Sequence, residues 1–234
     1  MKSGVLSCFR KMFVIFLFTA IFIPKSFSQG FTYHWGHPSP QGNSVYGVVF
    51  KDDFKGWAVT GCGNILETND NGQSWQLKHE TDSLCQDLYD IVMTSTGTLI
   101  ASGDSGRIMR STNDGESWSE QSFPSAGRLY DLARVPGGAI SAAGENGVLL
   151  VSDDDGITWN DFGPGGSGYA RHHTWKSETE CYLVGFGMFL RTTDSGNSWL
   201  QAAIPGSFGI NEVYFLNDNE GYAIEDFAYW KTTD

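Results

Sequence analysis

The chain has 234 residues, 29 of them glycine, with 40% hydrophobic residues and a formal charge of −12. That length suffices for one sizeable core. The charge repels nucleic-acid phosphates, so a nucleic-acid partner is not expected.

Residues 1–28 read as a signal peptide: Lys2, Arg10 and Lys11 give a basic start and residues 12–23 are almost wholly apolar. Ser26 and Ser28 then supply the small residues of a cleavage site. The apolar run is short of the ~20 residues a membrane helix needs, so no membrane span is expected after cleavage. Removing the four Lys/Arg of this segment leaves residues 29–234 near −16. Such a chain suits a secreted, periplasmic or cell-surface location. Three of its four cysteines remain, Cys62, Cys85 and Cys181, which is no disulfide framework, though export permits one bridge.

One motif then recurs, S/T-x-D/N-x-G-x-x-W. Its key residues are Thr68, Asp70, Gly72 and Trp75; Ser111, Asn113, Gly115 and Trp118; Ser152, Asp154, Gly156 and Trp159; and Thr192, Asp194, Gly196 and Trp199. A fifth copy begins at Thr232 and stops at Asp234, and the copies start 43, 41, 40 and 40 residues apart. Each unit carries the same predicted strands. A first apolar strand covers 45–50, 88–93, 129–135, 169–175 and 210–216, and a second covers 57–60, 98–101, 138–141, 181–184 and 221–224. A third covers 64–67, 107–110, 148–151, 188–191 and 228–231, and a fourth starts at each motif tryptophan. Four short strands per unit, separated by turn residues and repeated about every forty residues, predict an all-β propeller. A β-sandwich requires no such repeat.

Residues 31–38 read as a fourth strand without its first three, with Trp35 placed 40 residues before Trp75. This strand is expected to complete the last blade. Two readings stay open: a closed five-bladed ring, or part of a six- to eight-bladed ring, which the broken fifth motif favours.

Within each motif the Asp or Asn side chain can accept the turn's own amides, the glycine takes an angle other residues resist, and the tryptophan packs beneath the blade. Asp70, Asn113, Asp154 and Asp194 therefore read as turn braces rather than catalysts. One recurring carboxylate per turn gives too few ligands for a calcium cage, and adjacent His172 and His173 point to opposite sides of a strand. No metal or cofactor is expected.

Function is sought instead on the opposite face, where the fourth-to-first and second-to-third connections lie. Twenty-one residues before each motif Ser/Thr stand Gly47, Asp90, Asp131, Arg171 and Asn211, with Glu212 beside the last. The fourth unit departs most from its neighbours, with a glycine-rich loop over 163–168 followed by Tyr169, Arg171, His172 and Trp175. Together with Arg128 these form the candidate ligand-binding set. Cys62 and Cys85 fall in loops of the first and second units, where a bridge is geometrically reasonable. Cys181 opens a core strand and reads as a buried thiol.

The motif resembles the Asp-box, or BNR repeat, of sialidases, sortilin-type receptors and certain glucan hydrolases. The texture of residues 56–75 is most similar to the photosystem II stability/assembly factor family and its secreted relatives in non-photosynthetic bacteria. The resemblance spans 31–234 and is specific for fold. It implies a protein-binding scaffold without catalysis. The chain itself is expected to be a monomer that binds a protein or an extracellular glycan on its loop-rich face. The photosynthetic members use a positive patch, from which this acidic chain departs, so photosystem assembly is not expected. The alternative is a glycoside hydrolase. A sialidase needs three clustered arginines, but Arg107, Arg110 and Arg191 fall on third strands. A glucan hydrolase needs two carboxylates about 5–9 Å apart, a role for which Asp90 and Asp131 are the candidates.

Overall fold

A computed structural model describes residues 42–80, 85–202 and 209–232. The expected signal peptide, the strand over 31–38 and Asp234 lie outside the described residues. Among the described residues no helix is long and apolar enough to cross a membrane.

The repeat folds as read. Blade 1 consists of β1 (Val45–Phe50), β2 (Gly56–Thr60), β3 (Ile65–Thr68) and β4 (Gln76–His79), and blade 2 of β5 (Leu88–Met93), β6 (Leu99–Gly103), β7 (Arg107–Ser111) and β8 (Ser119–Ser122). Blade 3 consists of β9 (Leu129–Arg134), β10 (Ile140–Gly144), β11 (Leu149–Ser152) and β12 (Asn160–Asp161). Blade 4 has β13 (Tyr169–Trp175), β14 (Cys181–Phe186), β15 (Met188–Thr192) and β16 (Leu200–Gln201). Blade 5 shows β17 (Glu212–Asn217), β18 (Glu220–Ile224) and β19 (Tyr229–Thr232). Each sheet is antiparallel and pairs its strands in chain order. Third strands run one residue further than the sequence suggests, because the motif Ser/Thr still pairs, as Gly56 with Thr68.

The first strands of successive blades contact one another, so these are the inner strands. The core is built between blades rather than within them. Trp57, Val59 and Ile65 of blade 1 pack on Leu88, Ile91, Leu99 and Met109 of blade 2. Val92, Ile100 and Ile108 pack on Leu129, Leu132 and Ile140 of blade 3. Ala143 and Leu149 meet Ala170, Cys181 and Leu183, and Val184 meets Ile210, Val213 and Ala223. Each such fully buried aliphatic side chain stabilises the fold by about 1.5–3 kcal/mol. A single blade has two apolar faces and hides them only by stacking on its neighbours.

The motif braces its turn in all four complete copies. In blade 1 Thr68 Oγ1 donates to Asp70 Oδ1 at 2.8 Å and accepts Gly72 N at 2.9 Å, while Ser74 N and Oγ donate to the two Asp70 oxygens at 2.8 and 2.6 Å. Blades 2, 3 and 4 repeat this pattern through Asn113, Asp154 and Asp194. The hydroxyl of Thr158, then its amide, holds Asp154 down at about 2, and the equivalent hydroxyls lower Asp70 and Asp194. Two successive residues take left-handed angles here, for example Asp114 (φ 57°) and Gly115 (φ 80°). In blades 2 and 3 the aspartate before the glycine then reaches the preceding blade. Asp114 accepts Lys51 Nζ at 2.8 Å, and Asp155 accepts the hydroxyls of Thr96 and Thr98. The motif face thus fastens blades together.

Candidate functional site

The inner strands carry a second set of inter-blade contacts. Each of β1, β5, β9 and β13 is bulged near its start, the pairing skipping one residue: Tyr46, Tyr89, Tyr130 and Arg171 respectively. A bulge leaves backbone groups unpaired and re-aims a side chain. The residue after each bulge is Gly47, Asp90, Asp131 and His172. In the last three, the side chain accepts a backbone N–H from the next blade. Asp90 Oδ2 takes Leu132 N at 3.0 Å, Asp131 Oδ2 takes His173 N at 2.8 Å, and His172 Nδ1 takes Val213 N at 3.3 Å. Gly47 has nothing to offer, and a Cβ there would lie 2.9 Å from Asp90 Cα. Ile91 N accordingly takes its own neighbour, Asp90 Oδ1, at 2.8 Å.

This register corrects the equivalence drawn from residue counting. The second-to-third loop is one residue shorter in blade 4 than in blade 3: Gly185 to Gly187 replaces Gly144 to Gly147. Pairing of His172 with Val184 and of Glu212 with Ile224 makes His172 and Glu212, not Arg171 and Asn211, the counterparts of Asp90 and Asp131.

Asp131 also lies beside a buried polar chain. His173, 1% exposed, places Nδ1 2.7 Å from Asp131 Oδ2, a close approach without the alignment of a hydrogen bond. Its Nε2 lies 2.6 Å from Ser141 Oγ, which accepts Trp175 Nε1 at 2.9 Å. Asp131, His173 and Ser141 thus stand in an order reminiscent of a nucleophilic triad. Ser141 is nonetheless fully buried, so its hydroxyl has no access to a substrate.

The bulge residues form the more accessible counterpart, with Tyr46 and Arg171 exposed and Tyr89 and Tyr130 half-buried. Tyr46 and Tyr89 pack at 5.5 Å between ring centroids and Tyr89 and Tyr130 at 5.3 Å, all tilted. Each phenol donates to a carboxylate on the loop-rich end. Tyr46 reaches Asp87 at 3.4 Å, Tyr89 reaches Asp104 at 2.8 Å, and Tyr130 reaches Glu145 at 2.8 Å. Burial first, then these acids, raises the Tyr46 and Tyr89 hydroxyls, and burial raises Tyr130, so all three stay neutral. Arg171 continues the series, its guanidinium 3.4 Å from Asn211 Oδ1, and Asn211 donates to Asp226 at 2.6 Å. Arg128 bridges Asp104 at 3.0 Å and Glu145 at 3.5 Å.

The sequence-derived ligand set therefore divides. Tyr169, Arg171 and Arg128 are exposed at the loop-rich end. His172 and Trp175 hold blades together. Trp175 lies at the far end of β13, about 20 Å along an extended strand from Tyr169, and packs in the core with Cys181. Asp90, 8% exposed, and Asp131 are engaged as described. Sequence reasoning passed over the tyrosines, although Tyr46, Tyr89 and Tyr130 each stand 22 residues before a motif Ser/Thr. Cys62 and Cys85 are joined by a disulfide beside this arc, and Cys62 N donates to Asp87 Oδ1 at 2.8 Å. Cys181 is a buried free thiol, pushed well up by burial. Among the described residues no three His, Cys, Asp or Glu side chains gather as a metal site. A hollow of about 470 Å³ on the opposite face is lined by Val135, Gly137, Asp155, Phe162 and Trp175.

Residues 25–112 match the family described as photosynthesis system II assembly factor YCF48. No curated protein matches the chain. Among solved structures the fold is similar to YCF48 bound to D1 peptide, at 17% identity and a TM-score of 0.62, over 84% of this chain and 66% of that one. It is also similar to virginiamycin B lyase from Staphylococcus aureus, at 18% identity and a TM-score of 0.64, over 84% of this chain and 72% of that one. A GH74 enzyme from Niastella koreensis matches at 19% identity and a TM-score of 0.59, over 84% of this chain and 31% of that one. This chain thus spans just under two thirds of the YCF48 structure and under a third of the GH74 enzyme. At these identities the likeness is one of fold.

Proposed function

Starting from an Asp-box β-propeller whose fold is related to that of the YCF48 assembly factors, we propose that the chain is an exported, non-catalytic binding propeller. It recognises a protein or an extracellular glycan through its loop-rich face. The observation that carries this reading is the division of labour on the inner strands. The two carboxylates that a glycan hydrolase would need, Asp90 and Asp131, each accept a backbone N–H from the following blade. The exposed groups beside them, Tyr46, Tyr169, Arg128 and Arg171, are aromatic and guanidinium side chains, which recognise ligands by contact and hydrogen bonding. An acyl-transfer role for Ser141 is disfavoured by its burial.

The test is an array of immobilised glycans and peptides probed with the full chain and with the Tyr169→Ala/Arg171→Ala double variant. Ligands retained by the parent and lost by the variant, with the melting temperature unchanged within about 2 °C, are the expected result. Identical binding profiles, or a variant that no longer folds, would overturn the assignment of the face.

A further inference from the structure

At the loop-rich end of the described residues, the tyrosine arc recurs from blade to blade. Three successive inner strands place a tyrosine at the bulge, and the rings form a continuous strip about 11 Å long, the span of roughly three extended residues. Burying these side chains would have been simple without the bulge, since strand alternation would turn them into the blade. The bulge turns them toward the loop-rich end instead, and Tyr46 remains 48% exposed.

The hydroxyl chemistry narrows what such a strip can take. Each phenol spends its single proton on a carboxylate. Along the tyrosines what remains are ring faces, phenol lone pairs and carboxylate oxygens, all of them electron-rich. A neutral glycan would find its donors here only at Arg128, Arg171 and Asn211, and an anionic ligand meets the wrong charge. Asp87, Asp104, Glu145 and Asp226 surround the arc, against Arg128 and Arg171, in a chain of net charge −12. Lysine and arginine side chains gain on both counts, from the aromatic faces and from the acids. Phe186 and Phe227, 68% and 101% exposed, add apolar contacts in the same set of loops beyond Arg171.

We infer that the arc Tyr46–Tyr89–Tyr130–Arg171–Asn211 seats an extended cationic peptide segment, with lysine or arginine side chains alternating with apolar ones. The inference rests on the binding reading above. The tyrosines are its anchor and the carboxylates set the sign of its partner.

The experiment measures fluorescence anisotropy of a labelled octapeptide alternating lysine and leucine, titrated with the full chain at low and at high salt. A glutamate–leucine octapeptide and cellohexaose are measured in parallel. The lysine peptide is expected to bind saturably, to weaken with salt, and to lose at least tenfold in affinity on Tyr46→Ala or on Asp226→Asn, with melting unchanged. Tyr89→Phe keeps the ring and is expected to retain most of the affinity. Unchanged affinity in both Tyr46→Ala and Asp226→Asn identifies unspecific attraction to an acidic protein and overturns the inference. Stronger binding of the glutamate peptide or of intact cellohexaose overturns it while leaving the binding reading in place. Cleavage of cellohexaose overturns both.

Discussion

Asp131 of the third blade accepts the backbone N–H of His173 in the fourth at 2.8 Å, across the seam between two sheets. The same step joins Asp90 to Leu132 and His172 to Val213. In each case the side chain after the bulge of one blade satisfies an inner-strand amide of the next. The inner strands of these successive blades are thus stitched by side chains that, counted along the sequence, look like a polar site.

Asp131→Ala strands the His173 amide and removes the carboxylate beside its ring. A hydrogen bond to a charged acceptor at a buried amide contributes about 1.5–3 kcal/mol. Urea unfolding is expected to show a loss of about 2–3 kcal/mol, and binding per folded molecule is expected to stay unchanged.

Neighbouring positions in blade 4 separate cleanly. His172→Ala removes the acceptor of Val213 N and is expected to cost about 1 kcal/mol in the same unfolding assay. Arg171→Ala, an exposed side chain with one long contact to Asn211, is expected to change stability by less than about 0.5 kcal/mol and to weaken ligand binding.

The motif aspartates give the fold an acid sensitivity with a definite sign. Asp154 titrates at about 2 in the folded protein against an ordinary 3.8, so its stabilisation is complete above that ordinary value and is lost as pH falls through about 2. Asp70 and Asp194 are lowered by the same kind of hydroxyl and amide contacts. Asn113 fills the same place without a titrating group, accepting Ser117 N and donating Nδ2 to Ser117 Oγ. Thermal melts between pH 5 and pH 2 are expected to show a smaller loss of stability for Asp154→Asn than for the parent.

Much of this architecture was legible in the chain. The motif, its period and the four strands per unit follow from turn chemistry and alternation, and their limits shift by up to three residues. The turn-bracing role of Asp70, Asp154 and Asp194 also follows, because short acceptors beside glycine have one dominant local use. The bulges were not legible, since counting residues back from a motif assumes constant loop length. One residue fewer between Gly185 and Gly187 moved Arg171 onto the bulge and His172 into the stitching position. Trp175 resembled a ligand aromatic because it shares a strand with Tyr169; the length of that strand carries it to the other face. The tyrosine series was present at a fixed offset, but its meaning depends on the bulge.

The Cys62–Cys85 bridge ties the second-to-third loop of blade 1 to the approach of blade 2, across 23 residues. Loop-closure entropy for that length is about 3 kcal/mol. Cys62→Ser/Cys85→Ser is expected to lower unfolding free energy by up to that amount, read by urea titration under oxidising conditions.

The central claim is that the inner-strand carboxylates join blades and do no chemistry. Its most direct test is release of reducing ends from a panel of β-glucans and sialylated glycans, comparing the full chain with Asp90→Asn and Asp131→Asn. No release above the buffer blank by any of the three proteins, with both variants less stable than the parent, is the predicted result. Sugar release by the parent that disappears in either folded variant would contradict the account.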